Sequence, residues 1–352
     1  MAKEYQTSDY DFHLPQELIA QYPSETRGTS RLLALNKKTG SLTHTRVQYL
    51  PQLIPSGAIM VFNNSRVRKS RIYGTTNDGA EVEFLLLFPE PNADPAEFGL
   101  RWRAMASKAK RQKLHKEYLF PQRIKGHITK IFPEGLRTIE FETPVTDSYL
   151  NTHGHIPLPP YISREDTKED ASRYQTVYSK EIGSAAAPTA GLHFTEQLLA
   201  SLDEAGVIRT EVTLHVGLGT FLPVRVENIL EHTMHSEDYS ITPTTAEIIT
   251  RGKLEGRPIV AVGTTAVRTL ESAWNSDEKC IVRGKRATDI FIYPGYQFKV
   301  VDQLFTNFHT PRSSLVMLVS AFASREMILN AYEIGVENRY RFFSYGDAML
   351  IR

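Results

Sequence analysis

The chain has 352 residues, enough for two domains of ordinary size, and its 41% hydrophobic and 23% charged content is that of a globular protein with ample core. Its most apolar stretch, Leu315–Ala323, is broken by Ser320 and falls short of the ~20 residues a membrane helix needs, and Lys3, Glu4, Asp9 and Asp11 deny the N-terminus the apolar core of a secretory signal. Cys280 stands alone, which excludes an internal disulfide and a cysteine zinc site; a cytoplasmic protein without a bound metal is expected, and a net charge of +1 excludes a globally basic nucleic-acid binder.

In chain order, Phe12–Pro23 (FHLPQELIAQYP) reads as a short helix between prolines, with Leu18 and Ile19 on its buried side. Ile59–Phe62 reads as a strand ending at Asn63-Asn64. The pattern then changes to short alternating strands: Glu81–Phe88, Arg101–Ala106, Glu117–Phe120, Gly126–Phe132 and Arg137–Glu142. Turn signals such as Asn77-Asp78-Gly79 and Pro133-Glu134-Gly135 separate them. Strands at roughly 8–12-residue spacing predict a small antiparallel barrel or sandwich. The same region holds the one strongly biased run of charge. Between Arg101 and Lys130 stand ten basic residues, among them Arg101, Arg103, Lys108, Lys110, Arg111 and Lys113, against the single acid Glu117. Like charges this dense repel one another unless a polyanion neutralises them, so these residues are nucleic-acid candidates.

After His155 the grammar is α/β. Thr195 caps a predicted helix, Thr195–Ala205, that stops at Gly206, and a strand follows over Val207–Val216. Ile259–Gly263 (IVAVG) is a strand apolar on both faces, turning through Thr264-Thr265 into a helix. Ile290–Tyr293 reads as a further strand, and Ser314–Ala323 and Arg325–Asn338 as a helical pair. The architecture expected is an α/β domain of the α/β/α type built from residues 1–65 and 151–352. A β-barrel domain, 66–150, is inserted into it.

Several loops are placed to meet a ligand. Ala186–Thr195 (AAPTAGLHFT) sets Thr189 and Gly191 before a helix N-terminus, where backbone N–H groups favour an anion, and carries His193. Thr213–Phe221 (TLHVGLGTF) ends a strand in Gly-x-Gly with His215 and Gly219. The full G-x-G-x-x-G spacing is absent, which argues against a nicotinamide enzyme. In the run HTMHSE, with His232, His235 and Glu237, the two histidines at spacing three would share a face if helical, but the H-E-x-x-H zinc pattern is not met. Val262–Ser272 (VGTTAVRTLES) offers Thr264 and Arg268 to a carboxylate or ribose, and Thr306–Ser314 (TNFHTPRSS) offers Arg312. The aromatic segment Arg339–Ile351 surrounds Gly346-Asp347.

Taken in order, these strings resemble the tRNA ribosyltransferase-isomerase family of queuosine biosynthesis. Arg173–Thr195, TLHVGLGTF, HTMHSE, VGTTAVRTLES, Thr288–Ala323 and the terminal RFFSYGDAMLI carry the resemblance, which runs nearly end to end and is strongest after Leu158. It implies transfer of the ribosyl portion of S-adenosylmethionine, as co-substrate and not as bound cofactor. The acceptor would be 7-aminomethyl-7-deazaguanine at the wobble position of tRNA. Epoxyqueuosine-tRNA, adenine and methionine would be the products. Such chemistry needs a base near the ribose C5′ and an acid for the leaving adenine; His193 and His215 are the first candidates, with His235 and Glu237 next. Asp289 or Asp347 would hold the aminomethyl group. No membrane and no stable protein partner is expected. Asn64 departs from the family's Asn-Asp-Thr turn: a carboxylate there either titrates in catalysis or only orients a turn. The alternatives are another S-adenosylmethionine-dependent RNA enzyme, such as a methyltransferase, or a non-catalytic tRNA-binding homologue.

Overall fold

The structure is a computed structural model that describes residues 5–91, 94, 97–217, 219 and 224–352. The chain first lays down β1 (Arg31–Leu35), β2 (Leu42–Arg46) and β3 (Ile59–Asn63), then β4 (Ser65–Val67). Six strands follow: β5 (Arg71–Thr75), β6 (Glu81–Pro89), β7 (Arg101–Ala106), β8 (Glu117–Leu119), β9 (Lys125–Ile131) and β10 (Leu136–Phe141). After α1 (Asp147–His153), α2 (Asp170–Arg173) and β11 (Glu181–Ser184), the chain returns to alternating elements. These are α3 (Glu196–Glu204), β12 (Ile208–Leu214), β13 (Glu237–Ile241), α4 (Pro243–Leu254), β14 (Ile259–Val262) and α5 (Thr264–Ala273). The short pair β15 (Trp274–Asn275) and β16 (Cys280–Ile281) precedes β17 (Gly284–Thr288) and β18 (Gln303–Asn307), and α6 (Ser314–Phe322), α7 (Arg325–Glu337) and β19 (Ala348–Ile351) close the fold.

A nine-stranded sheet in the order β17-β13-β12-β3-β14-β18-β19-β1-β2 forms the frame. Its centre, β12-β3-β14-β18, is parallel. These strands are apolar on both faces because each face has its own core. Ile59, Val61, Ile259 and Ala261 point into the layer covered by α4, α5, α6 and α7. Met60, Phe62, Val260 and Val262 point into the layer covered by α3 and the turn Val47–Gln52. This is the α/β/α layering expected from the IVAVG pattern. Serine and threonine side chains cap the helices: Thr195 accepts from Leu198 N on α3, Thr242 from Thr245 N on α4, and Ser313 from Val316 N on α6. Gly206, with φ +81, follows α3 as the left-handed stop.

The six strands β5–β10 close into an antiparallel barrel in the order β10-β7-β6-β5-β8-β9, completed by the β9–β10 pairing. Period-two alternation fills it: Trp102, Ala104 and Ala106 of β7 point inward with Phe84, Tyr118, Phe120 and Phe141, while Arg101, Arg103 and Met105 point out. The parallel pair β4–β11 joins the segment that enters the barrel to one that follows it, and the Arg68–Asp147 ion pair (2.6 Å) links the chain just before the barrel to α1 just after it.

Three expectations are corrected. Phe12–Pro23 forms only the 3-10 turn Gln16–Leu18, since two prolines leave too few residues to repay helix nucleation. Ile290–Tyr293 is extended without a strand partner; the strand lies earlier, at β17. His232 and His235 do not share a helix, because the 3-10 turn there ends at Glu231. Strands β1, β2, β4, β5, β11, β13, β18 and β19, and the short pair β15–β16, have no counterpart among the strands expected from the sequence.

Asn63 and Asn64 brace the carboxyl end of β3. Asn63 Oδ1 accepts from Leu214 N (3.0 Å) and Ser65 N (3.1 Å), and its Nδ2 donates to Leu214 O (3.0 Å). Asn64 Nδ2 donates to Glu211 Oε2 (3.1 Å), and its Oδ1 accepts from Thr213 Oγ1 (2.7 Å). An amide suits this place because it donates to Glu211, a carboxylate that Lys180 Nζ also holds (2.8 and 3.0 Å). Asn64→Asp removes that donor and sets two carboxyl groups together. It is expected to cost about 1–3 kcal/mol of stability in urea unfolding at neutral pH. The loss should shrink as the pH falls and the pair takes up a proton, and Glu211→Gln in the same chain should restore stability.

Candidate active site

The carboxyl ends of the parallel strands open on a cavity of ≈ 410 Å³, within the range of small-molecule pockets. Val216 follows β12, Gly263-Thr264-Thr265 follows β14, and Thr306–His309 ends β18, so each strand delivers its own turn to the same space. Gly263 (φ +87) makes the sharp turn from β14 into α5 and donates from its N–H to Phe305 O (2.8 Å). Aromatic walls come from Tyr161, Tyr174, Phe291 and Phe343. The last adopts a left-handed backbone, φ 71, which is uncommon for a bulky residue and marks a segment held by its surroundings.

One wall is ionic. Arg268, on α5, is buried with its Nη1 on Glu237, the first residue of β13, and its Nε donates to Ile290 O (3.3 Å). Glu237 Oε1 accepts from Gly217 N (2.9 Å), so both carboxylate oxygens are engaged. Arg268 Nη2 and Thr265 Oγ1 are buried without a protein partner. Thr265 stands in the first turn of α5, where the helix dipole favours negative charge, and Arg268 follows one turn further on.

The opposite wall is a neutral hydrogen-bond hub. Asn307 Nδ2 donates to Phe343 O (3.0 Å), which fixes the amide's orientation, and lies 3.1 Å from His193 Nε2. That ring nitrogen therefore accepts, and His193 is neutral with its proton on Nδ1. Asn307 Oδ1 accepts from Thr189 Oγ1 (3.2 Å). Burial pushes the His193 imidazole down to about 4. His309, buried in the cavity wall with Nε2 on Thr306 Oγ1 (2.9 Å), is pushed by burial down to about 3.

Of the candidate residues, Thr189, Gly219, His235, Glu237, Thr264, Arg268 and Arg312 line the cavity. Arg312 is at the exposed rim, its Nε on Asp11 Oδ2 (2.8 Å). His235 packs on Gly219 and reaches Glu134 of the barrel at 3.4 Å. His193 stands behind Asn307, and Gly191 behind Thr189, where a Cβ would collide with Tyr178 Oη. His215, Asp289 and Asp347 are not brought to the cavity. His215 packs against Gly183, and burial lowers its pKa. Asp289 is exposed, and Asp347 is buried against Arg31 (3.0 Å). Asn307, His309, Tyr161 and Ser344 were not foreseen as site residues; the last two share a hydrogen bond of 2.6 Å. The polar loop TNFHTPRSS was the only signal for the first two. Among the described residues no three His, Cys, Asp or Glu side chains group to hold a metal, and no single helix is long and apolar enough to cross a membrane.

Because both buried imidazoles are depressed, the unfolded chain takes up protons below about pH 6.5 that the native state refuses. Stability present above that pH is lost as the pH falls toward the values of His193 and His309, at up to about 1.4 kcal/mol per pH unit for each ring. Urea midpoints measured across this range check the slope, and His309→Gln, which keeps a partner for Thr306, should flatten it by one ring's share.

The model of the family described as queuosine biosynthesis protein matches residues 7–351. The S-adenosylmethionine:tRNA ribosyltransferase-isomerase of Treponema denticola is 53% identical over 98% of this chain and 99% of its own length. The protein of the same name from Desulfitobacterium hafniense is 48% identical over 97% and 98%. A crystal structure of S-adenosylmethionine tRNA ribosyltransferase from Thermotoga maritima is similar with a TM-score of 0.54 and 31% identity, covering 98% of this chain and 100% of that one. The family model over residues 7–351 and these end-to-end similarities agree: the chain belongs to the queuosine biosynthesis protein family.

Proposed function

We propose that this chain transfers and isomerises the ribosyl portion of S-adenosylmethionine onto 7-aminomethyl-7-deazaguanine at the tRNA wobble position. Epoxyqueuosine-tRNA is formed, and adenine and methionine leave. The observation that carries the reading is the cavity at the carboxyl ends of the parallel strands, whose buried Arg268 Nη2 and Thr265 Oγ1 still lack partners. It belongs to a chain that matches ribosyltransferase-isomerases along its whole length. Those donors, one in the first turn of α5 and one a turn further on, suit the carboxylate of a methionyl group, and Tyr161, Tyr174, Phe291 and Phe343 offer rings to adenine. S-adenosylmethionine is consumed as a co-substrate, and the enzyme works on tRNA in the cytoplasm.

The sulfonium acidifies the ribose C5′ protons, and a neutral imidazole is the form that accepts one. His309 lies in the cavity wall, but the burial that lowers its pKa also weakens it as a base, so His235 is the base candidate at the cavity. His193 acts through Asn307, whose amide it orients, and is a positioning residue. Glu237 holds Arg268 in place. Roles in catalysis for His215, Asp289 and Asp347 would require the substrate to reach beyond the cavity.

Residues 66–150 are read as one inserted unit that meets tRNA. Lys108, Lys110, Arg111 and Lys113 are exposed on a loop whose carbonyls Arg137 braces from within, through Gln112 O (3.1 Å) and Ala109 O (2.7 Å). Arg101 and Arg103, on the strand before it, are partly committed to Glu97 and Glu90.

Incubation with S-adenosylmethionine and tRNA carrying the aminomethyl base is expected to release adenine and methionine in step with modification. S-adenosylhomocysteine as the product would make the protein a methyltransferase, and tRNA binding without turnover would make it a binding homologue. Alanine at Lys108, Lys110 and Lys113 together should reduce the slope of log affinity against log salt by about 2–3, as three lost phosphate contacts require. An unchanged slope would move the RNA elsewhere.

A further inference from the structure

On its outer surface the barrel carries an aromatic–cation stack that neither its core nor the reaction chemistry uses. Phe88, near the end of β6, is 50% exposed, although its neighbour Leu87 is buried against Ala185. The register between β6 and β7 shifts at this point, between Leu86 and Phe88, as a bulge does when it re-aims a side chain. Arg103 on β7 lies beside it, with Cζ 5.8 Å from the Phe88 ring centroid and 3.7 Å from that of Phe132. Two bonds to Glu90 Oε1, of 2.8 and 3.0 Å, hold the guanidinium, and Thr138 Oγ1 holds Glu90 in turn (2.8 Å). The ladder is thus a fixed surface.

Its position ties it to the cavity by two routes. Leu87 packs on Ala185, the residue before the cavity-lining Ala186 and Ala187. Phe132 opens the hairpin whose tip, Glu134, reaches the cavity-lining His235 at 3.4 Å. That hairpin in turn touches the basic loop, since a Cβ on Gly135 would lie 3.4 Å from Ala109.

We propose that Phe88, backed by Arg103, is the stacking platform for an unpaired nucleobase adjacent to the one that enters the cavity; this rests on the tRNA reading above. A base that undergoes chemistry must leave its stack, and its neighbour then loses a partner. An exposed ring with a cation fixed beside it replaces that partner for any base, because every base has a π face. The exposed Lys108, Lys110, Arg111 and Lys113, which have no carboxylate partner among the described residues, complement a phosphate backbone and not an apolar protein surface.

The test is fluorescence titration of an anticodon stem-loop carrying 2-aminopurine next to the target base, with the wild type, Phe88→Ala and Phe88→Trp. The wild type should quench the probe. Phe88→Ala should weaken binding on the order of tenfold or more and abolish the quench. Its melting temperature and its dissociation constant for S-adenosylmethionine should stay unchanged, and Phe88→Trp should restore binding. Equal affinity and quench for Phe88→Ala would overturn the platform while leaving the function intact. A changed sedimentation coefficient for Phe88→Ala with unaltered RNA binding would likewise overturn it, in favour of a contact between protein chains. A wild type that neither binds the stem-loop nor releases adenine would remove the functional reading, and the platform with it.

Discussion

The buried pair of Arg268 and Glu237 is the constraint around which the cavity is assembled. A guanidinium and a carboxylate taken out of water each need their full set of partners, and removing one of them leaves a buried charge that costs roughly 3–5 kcal/mol. Here the partners come from four places: α5, the start of β13, Gly217 beyond β12 and the Ile290 carbonyl. The pair thereby adds side-chain links from α5 to the start of β13 and to the segments that follow β12 and β17. Its single unsatisfied group, Arg268 Nη2, is held in a fixed direction by everything that satisfies the others.

The wall across from it works by the opposite principle. Asn307, Thr189, His193 and the Phe343 carbonyl form a closed set of neutral hydrogen bonds, and burial keeps His193 and His309 uncharged. An ion-paired wall with one unpartnered guanidinium donor and a neutral hydrogen-bonded wall give the cavity two unlike ends. Such a site suits a substrate that is a zwitterion at one end and a flat heterocycle at the other.

Much of this was legible in the sequence, and the misses have physical reasons. Residues at strand-to-helix turns were found because glycine and threonine there have few other uses, which is why Thr189, Gly219, Thr264 and Arg268 proved to line one space. Alternation along β12 does not tell where His215 ends up: it lies just past the strand, with its ring against Gly183 and outside the cavity lining. Ile290–Tyr293 looks like a strand because a loop that walls an apolar cavity is as apolar as a strand. Asn307 and His309 were hidden by their ordinary local setting, and only the convergence of β18 with the segment around Phe343 gives them meaning. Strand β19 was masked by the aromatics before it. The α/β/α frame and the barrel, by contrast, follow from periodicity alone, since a strand with two cores cannot alternate and a barrel strand must.

The placement of β19 also bears on how the molecule comes into being. This strand lies between β18 and β1, parallel to the latter with Leu32 opposite Ala348 and antiparallel to the former. A ribosome has therefore made β1, the whole barrel and β18 before the strand that joins them exists. Until then two neighbouring apolar strands present unpaired edges, and the Asn307 hub lacks its Phe343 acceptor. Completion of the sheet is a closure over more than three hundred residues, the kind of pairing that loop entropy makes slow. The nascent chain must spend that interval with two adhesive edges open, so its demand for chaperone protection peaks late in synthesis.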